Sequence, residues 1–258
     1  MSLRLMREIH GVLLSKGRGS TRQPGEFRRS QNWIGGTRPG NAIFVPPPPD
    51  KVLDCMSELE DYIHAEGPSL PVLVKVALVH VQFESIHPFL DGNGRLGRLL
   101  ITFLLCASGV LKESVLFLSL FFKTNRLRYY ELLQRVREEG DWEGWLDFFL
   151  IGVKETSDQA AETARQILGI FEKDRGRIEQ LGRPAASALR VHQYLQSKPI
   201  LSVPVAAKEL GLSAPTVRKS IQHMVEIGIV YESTGKKRGR LFVYGGYLDL
   251  LNQGTEPL

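Results

Sequence analysis

Two apolar helical patterns separated by a six-residue break constrain this chain more than any other feature. Leu70 to Ile86 is mostly apolar with few breakers, which predicts a buried helix. Pro88 disfavours a helical residue before it, so that helix should end near His87. Asp91-Gly92-Asn93-Gly94 is a turn signal, because glycine and asparagine tolerate positive φ. Leu96, Leu99, Leu100, Phe103 and Leu104 then recur at helical spacing, so a second buried helix should begin near Asn93. The pair reads as a helix–loop–helix whose loop faces a ligand.

The loop's chemistry suits an anion. A glycine turn entering a helix presents unpaired N–H groups and the positive end of the helix dipole. Arg95 and Arg98, three apart, share a helix face, and two guanidinium forks fit a polyphosphate better than a single carboxylate. Asp91 is placed to hold a magnesium ion bridging phosphate oxygens. His87, with an ordinary imidazole pKa of about 6.5, suits a base that accepts a hydroxyl proton. Phe89 reads as an apolar anchor for the loop. Taken singly, each residue has a plainer reading as a core histidine, a turn or a solvated helix face. His80, Glu84 and His87 also share one helical face, which leaves a zinc reading, although the spacing is not that of HExxH. His80 alone reads as a hydrogen-bonded core residue.

The stretch His87-Pro88-Phe89-Leu90-Asp91-Gly92-Asn93-Gly94-Arg95-Leu96-Gly97-Arg98 matches without a gap the HxFx(D/E)GNGRxxR motif of the Fic family, which the chain resembles. The resemblance implies a mainly α fold: a Fic-type helical bundle with a small β-hairpin flap, followed here by a winged helix-turn-helix. It implies transfer of AMP from ATP to a protein hydroxyl, with ATP and Mg2+ as co-substrate and cofactor. His87 would be the catalytic base and Asp91 the metal ligand. Gly92, Asn93, Gly94, Arg95, Leu96, Gly97 and Arg98 would bind the phosphates, Arg98 reaching the γ-phosphate. The kinase-like Doc branch carries lysine where this chain has Gly94, which favours AMP transfer.

The resemblance extends outside the motif. Two short extended runs, Gln31 to Gly36 and Ala42 to Pro47, read as a hairpin. They are similar to the family's flap, with Ile34, Gly35 and Gly36 aligning the target backbone as an added strand; a surface hairpin without function is the alternative. Downstream, Asn125 and one of Tyr129 and Tyr130 are expected near the adenine and ribose, the tyrosines competing with a core reading. Trp142 and Trp145 read as packing.

The expected organisation is a Fic domain over 1–155, a helical linker over 156–183, with 175–184 its most linker-like part, and a winged-helix domain over 184–258. Ala206 to Ser213 and Thr216 to Ile221 resemble a helix-turn-helix, and 231–244 reads as two strands around a basic wing at Gly235 to Gly239. Residues 184–258 hold nine Lys or Arg against five Asp or Glu, which is four of the chain's net charge of +5. That balance fits DNA, and a protein-docking role stays open. No run of eighteen apolar residues and no leader pattern is seen, so membrane insertion and secretion are not expected and a cytoplasmic location is. Cys55 and Cys106 read as reduced thiols in core space. Leu3 to Leu14 reads as a helix lacking a preceding cap. An inhibitory (S/T)xxxE(G/N) pattern before His87 is not found: Thr21 has Gly25 four residues on and Ser57 has Asp61. The expectation is therefore either a piece of a longer protein or a form held by an antitoxin-like partner, with a homodimer compatible with either. Two other functions stay open: a nucleotide-sensing DNA-binding regulator, or an enzyme that removes AMP or transfers another phosphate-containing group.

Overall fold

The computed structural model describes residues 1–65, 70–112 and 118–253; residues 254–258, the end of the expected winged-helix domain, lie outside them. The chain divides into two compact units, Met1–Ser157 and Asp158–Leu258.

The first unit is organised around one helix that is apolar on every side. α1 is Leu3–Leu13, α2 Val52–His64, α3 Val72–Ile86 and α4 Asn93–Ala107. α5 is Leu118–Thr124, α6 Arg126–Glu139 and α7 Trp142–Glu179. α3 buries Val79, Phe83 and Ile86 with Met6 of α1 and Met56 of α2, and with Leu96 and Leu100 of α4. Its other flank, Val76, Ala77 and Val81, joins Phe122, Leu132, Trp145 and Phe149. A helix apolar all round has to lie in the middle of a bundle, and α3 does. The two predicted motif helices are thus α3 and α4, with ends within a residue or two of those expected.

α3 stops where Pro88 requires it: His87 leaves the helix in the left-handed region at φ 50°, ψ 58°. The expected hairpin is present but slight. It has one antiparallel bridge, Ile34 with Phe44, and its turn contains a short 3-10 segment, Pro39–Asn41. α1 is capped after all, the Ser2 hydroxyl accepting a hydrogen bond from the Leu5 amide. Trp145 is a core residue whose Nε1 donates to the Ala77 carbonyl, whereas Trp142 is 41% exposed and departs from the packing expectation. Cys55 and Cys106 are free thiols.

The second unit holds α8 Ala185–Ser197, β1 Ile200–Leu201, α9 Val203–Leu210, α10 Ala214–Glu226, β2 Val230–Glu232, β3 Phe242–Tyr244 and α11 Gly245–Asn252. The strands form an antiparallel sheet in the order β1-β3-β2, with Ile200 opposite Val243 and Tyr231 opposite Val243 on its other side. β1 was not foreseen, because a two-residue strand carries no alternation to read. The linker reading of 175–184 is corrected: α7 continues to Glu179, and Ile178 is fully buried among Val191, Leu195 and Met224. Ion pairs Arg175–Glu179 and Arg177–Asp174 along the helix support a stretch whose charge had suggested a loop. Asp174 is buried and accepts a hydrogen bond from the Tyr244 hydroxyl, which also contacts His192 Nε2.

Candidate active site

The loop between α3 and α4 is built by groups drawn from four other places in the sequence. Asn93 folds back on it, its Oδ1 accepting from the Phe89 amide and its Nδ2 donating to the Phe89 carbonyl. Phe89 is fully buried and stacks on the His10 ring at 3.8 Å. His10 Nδ1 accepts from the Gly25 amide, which leaves Nε2 to donate to the Asp91 carbonyl at 2.9 Å. Gly92 caps α4 at φ 85°, and a Cβ there would lie 2.7 Å from Leu14 Cδ1 and 3.2 Å from His10 Nε2. Glycine is favoured here, since φ is positive and a Cβ would press on the Leu14 and His10 side chains.

No side chain caps the N-terminus of α4, so the backbone N–H groups after Gly92 remain an anion nest. Asp91 Oδ1 accepts from the Gly92 amide and sits 3.6 Å from Arg95 Nη2. Arg18 Nε is 3.9 Å from Asp91 Oδ2, and Arg95 Nη2 donates to the Arg18 carbonyl. Arg98 makes no hydrogen bond or ion pair among the described residues; its Nη1 lies 3.1 Å from where a Cβ of Gly94 would be. Leu96 is buried in the core, and Gly97 lets α3 approach closely, since its missing Cβ would collide with Glu84 Oε1. Leu96 and Gly97 thus bring packing rather than side-chain chemistry to the phosphate set.

His87 is fixed through its backbone. Its carbonyl accepts from Arg28 Nε at 3.0 Å and from Asn32 Nδ2 at 3.3 Å, and Asn32 also donates to Phe89. Among the described residues, its imidazole Nδ1 is buried without a hydrogen-bond partner. Burial pushes the His87 pKa down to about 4, against the Glu84 carbonyl, which raises it; Arg137 and Arg28 lower it further and Asp91 raises it. Glu84 is buried, with Oε1 unpartnered; burial pushes its carboxyl up to about 7, while Arg98 and Arg137 hold it down.

The zinc alternative, already disfavoured by the spacing, gains no support from the structure. His80 is consumed by the core, Nδ1 donating to the Gly97 carbonyl and Nε2 accepting from the Tyr129 hydroxyl. No group of three or more His, Cys, Asp or Glu able to hold a metal occurs among the described residues. Tyr129 is therefore a core residue, whereas Tyr130 is half exposed beside Arg126. Asn125 precedes α6 and spends Nδ2 on the Phe121 carbonyl. Its Oδ1 makes no hydrogen bond among the described residues.

Sequence reading missed Arg28, Asn32, His10 and Arg137. Arg28 is 2% exposed and donates to the carbonyls of Ser30, Pro47, Ile86 and His87. These residues stand far from the motif in sequence, and a single arginine or histidine carries no pattern.

Comparison with known proteins agrees with this geometry. Residues 1–105 match the sequence profile of the Fic/DOC family, and residues 186–231 match that of the winged helix-turn-helix DNA-binding family. A protein adenylyltransferase Fic of Drosophila willistoni is 30% identical over 212 residues, covering 80% of this chain and 37% of the relative. One from Culex quinquefasciatus is 33% identical over 190 residues, covering 68% of this chain and 35% of the relative. The chain thus spans little more than a third of these relatives. A crystal structure of a Fic family protein from Desulfovibrio desulfuricans shares the fold, with a TM-score of 0.55 at 23% identity, over 95% of this chain and 69% of that one. A signaling protein with a Fic domain from Bacteroides thetaiotaomicron aligns with a TM-score of 0.50 at 22% identity, over 62% of each chain. The chain carries a Fic/DOC family domain followed by a winged helix-turn-helix domain.

Proposed function

We propose that this chain is a protein adenylyltransferase that moves AMP from ATP to a hydroxyl side chain of a protein. The observation that carries the reading is the placement of His87: an imidazole with an unpartnered Nδ1, kept neutral by burial, beside an uncapped helix N-terminus with two arginines. In the step proposed, the target hydroxyl oxygen attacks the α-phosphorus. The bond from that phosphorus to the β-bridging oxygen breaks, and pyrophosphate leaves. His87 takes the hydroxyl proton. The nest and Arg95 would hold the inner phosphates and Arg98 the distal one, so catalysis is chiefly positioning and charge stabilisation. A base with a pKa of about 4 is weak; a bound triphosphate would offset Arg137 and Arg28 and raise it, while burial, the larger cause, would remain.

A lone carboxylate, Asp91, fits magnesium carried in with the nucleotide better than a resident ion in a protein cage. When bound, magnesium would neutralise phosphate charge, and Asp91 would be its protein ligand. The flap would align an extended target segment through Ile34, Gly35 and Gly36, and Asn125 would lie toward the adenosine.

Incubation with ATP labelled at the α-phosphate tests the reading. Label on protein, with none from γ-labelled ATP and none with His87→Ala, is the expected result. Transfer of the γ-label instead would make the chain a kinase.

A DNA contact through the second unit is favoured by its exposed basic groups. Arg218 and Lys219 on α10 and Lys236, Lys237 and Arg238 in the wing all face solvent. Neutralising them should weaken binding to duplex DNA and flatten its salt dependence. Undetectable binding by the intact chain at low salt would favour a protein-docking role. No helix among the described residues is long and apolar enough to cross a membrane.

A further inference from the structure

The flap cannot set its own position. Its backbone pairing is one bridge, with the Ile34 amide donating to Phe44 and the amides of Ile43 and Phe44 donating to Ile34. An isolated pair this short is marginal in water. Its base is tied down by Gln31, which donates to the Pro46 carbonyl at 2.9 Å, and by Arg28 at Pro47.

Higher up, the ties come from α6. Gln134 Nε2 donates to the Ile43 carbonyl at 3.1 Å. One turn later, Arg137 stacks its guanidinium on the Phe44 ring, with Cζ 4.1 Å from the centroid. The same guanidinium donates through Nη2 to the Glu84 carbonyl and through Nε to the Ser85 hydroxyl, both at 3.1 Å. Glu84 and Ser85 belong to the last turn of α3, immediately before His87. One planar group therefore touches the flap on its face and the catalytic helix on its edge. Arg137 has no carboxylate partner within ion-pair distance among the described residues, so an ordinary salt bridge does not account for it.

We propose that Arg137 is a positioning residue that sets the height of the flap above His87, and with it the fit of an extended segment of the target polypeptide. This rests on the transferase reading above. The geometry needs arginine: a lysine ammonium cannot present a stacked face and a two-nitrogen edge together. A cation over an aromatic ring gains more as water is excluded, and Arg137 and Phe44 are both partly buried. His87 itself is held independently by Arg28 and Asn32, so losing Arg137 should free the flap while leaving the base in place.

Arg137→Met and Arg137→Lys in the full chain test this with two readouts. The first is hydrogen exchange at the flap amides of Ile34, Ile43 and Phe44, which needs no activity. Arg137→Met should accelerate it about tenfold or more, leaving the amides of α4 unchanged, as expected for a local opening. The second is kinetic, with the inactive His87→Ala copy of this chain as acceptor. The acceptor KM should rise about tenfold, because small misplacement of an aligned substrate is costly. The ATP KM should stay within about twofold, and the release of AMP to water should not fall, since losing the Arg137 charge can only raise the His87 pKa. Arg137→Lys should recover only part of either loss. Unchanged flap exchange, or equal loss of protein transfer and water hydrolysis, would overturn the proposal. A wild-type chain that labels no acceptor would refute the transferase reading instead, and flap exchange in Arg137→Met would still decide the role of Arg137.

Discussion

At the residue scale, the twelve motif positions stood out because they are consecutive, and core packing alone does not place a histidine, a carboxylate and two arginines in so short a stretch. What holds them was not legible. Arg28 is the clearest case, a buried guanidinium whose partners are backbone carbonyls of Ser30, Pro47, Ile86 and His87. Backbone acceptors leave no sequence trace. Arg28→Met should strand several buried carbonyls and destabilise the first unit by about 3 kcal/mol, seen as a lower urea midpoint. His87→Ala should bind ATP nearly as well as wild type but transfer about 100- to 10,000-fold more slowly, read as label incorporation at saturating ATP. The His87 imidazole should titrate near 4 in the free chain by NMR and higher once a non-hydrolysable ATP analogue is bound. Its folded pKa lies below the ordinary histidine value. Its contribution to stability is therefore complete above about pH 6.5 and is lost as pH falls toward 4. His80, also pushed down to about 4 by burial, acts in the same direction. Glu84, raised to about 7, opposes them, because its contribution is complete below the ordinary carboxylate range and fades as pH rises through 7.

At the element scale, long periodic segments were read well and short or charged ones were not. α3 and α4 announced themselves through apolar spacing and a Pro/Gly break. β1, two residues long, exists only because β3 pairs with it. The 175–179 stretch looked like a linker because its charged residues dominate, while one buried residue, Ile178, decides its fate. Asn125, expected near the adenosine by resemblance, spends its Nδ2 on the Phe121 carbonyl of the preceding helix, α5. The junction at the head of α4 is the least tolerant element boundary. Gly92→Ala places a Cβ at positive φ, 2.7 Å from Leu14. It should cost about 1–3 kcal/mol and weaken nucleotide binding together, since the same turn shapes the nest. A thermal melt and an ATP titration of this variant check both effects, and unaltered nucleotide affinity would show that the nest forms without the glycine.

At the scale of the whole molecule, the division at Ser157 and Asp158 falls inside α7, so the safe place to cut differs from the one suggested by composition. A chain ending at Ser157 should remain soluble and bind ATP, since every motif residue precedes it. A chain ending at 183 keeps Ile170, Phe171 and Ile178 but removes their partners on α8, α10 and β3. It should aggregate, which size-exclusion chromatography of the two lengths would show. The same arrangement matters during synthesis. The ribosome releases the second half of α7 before any of the residues that cover it exist. For the time taken to make about seventy further residues, several seconds at ordinary elongation rates, an apolar helical stripe waits uncovered. The far end of the longest helix is therefore a point of aggregation risk during synthesis, after the loop between α3 and α4 has already been made.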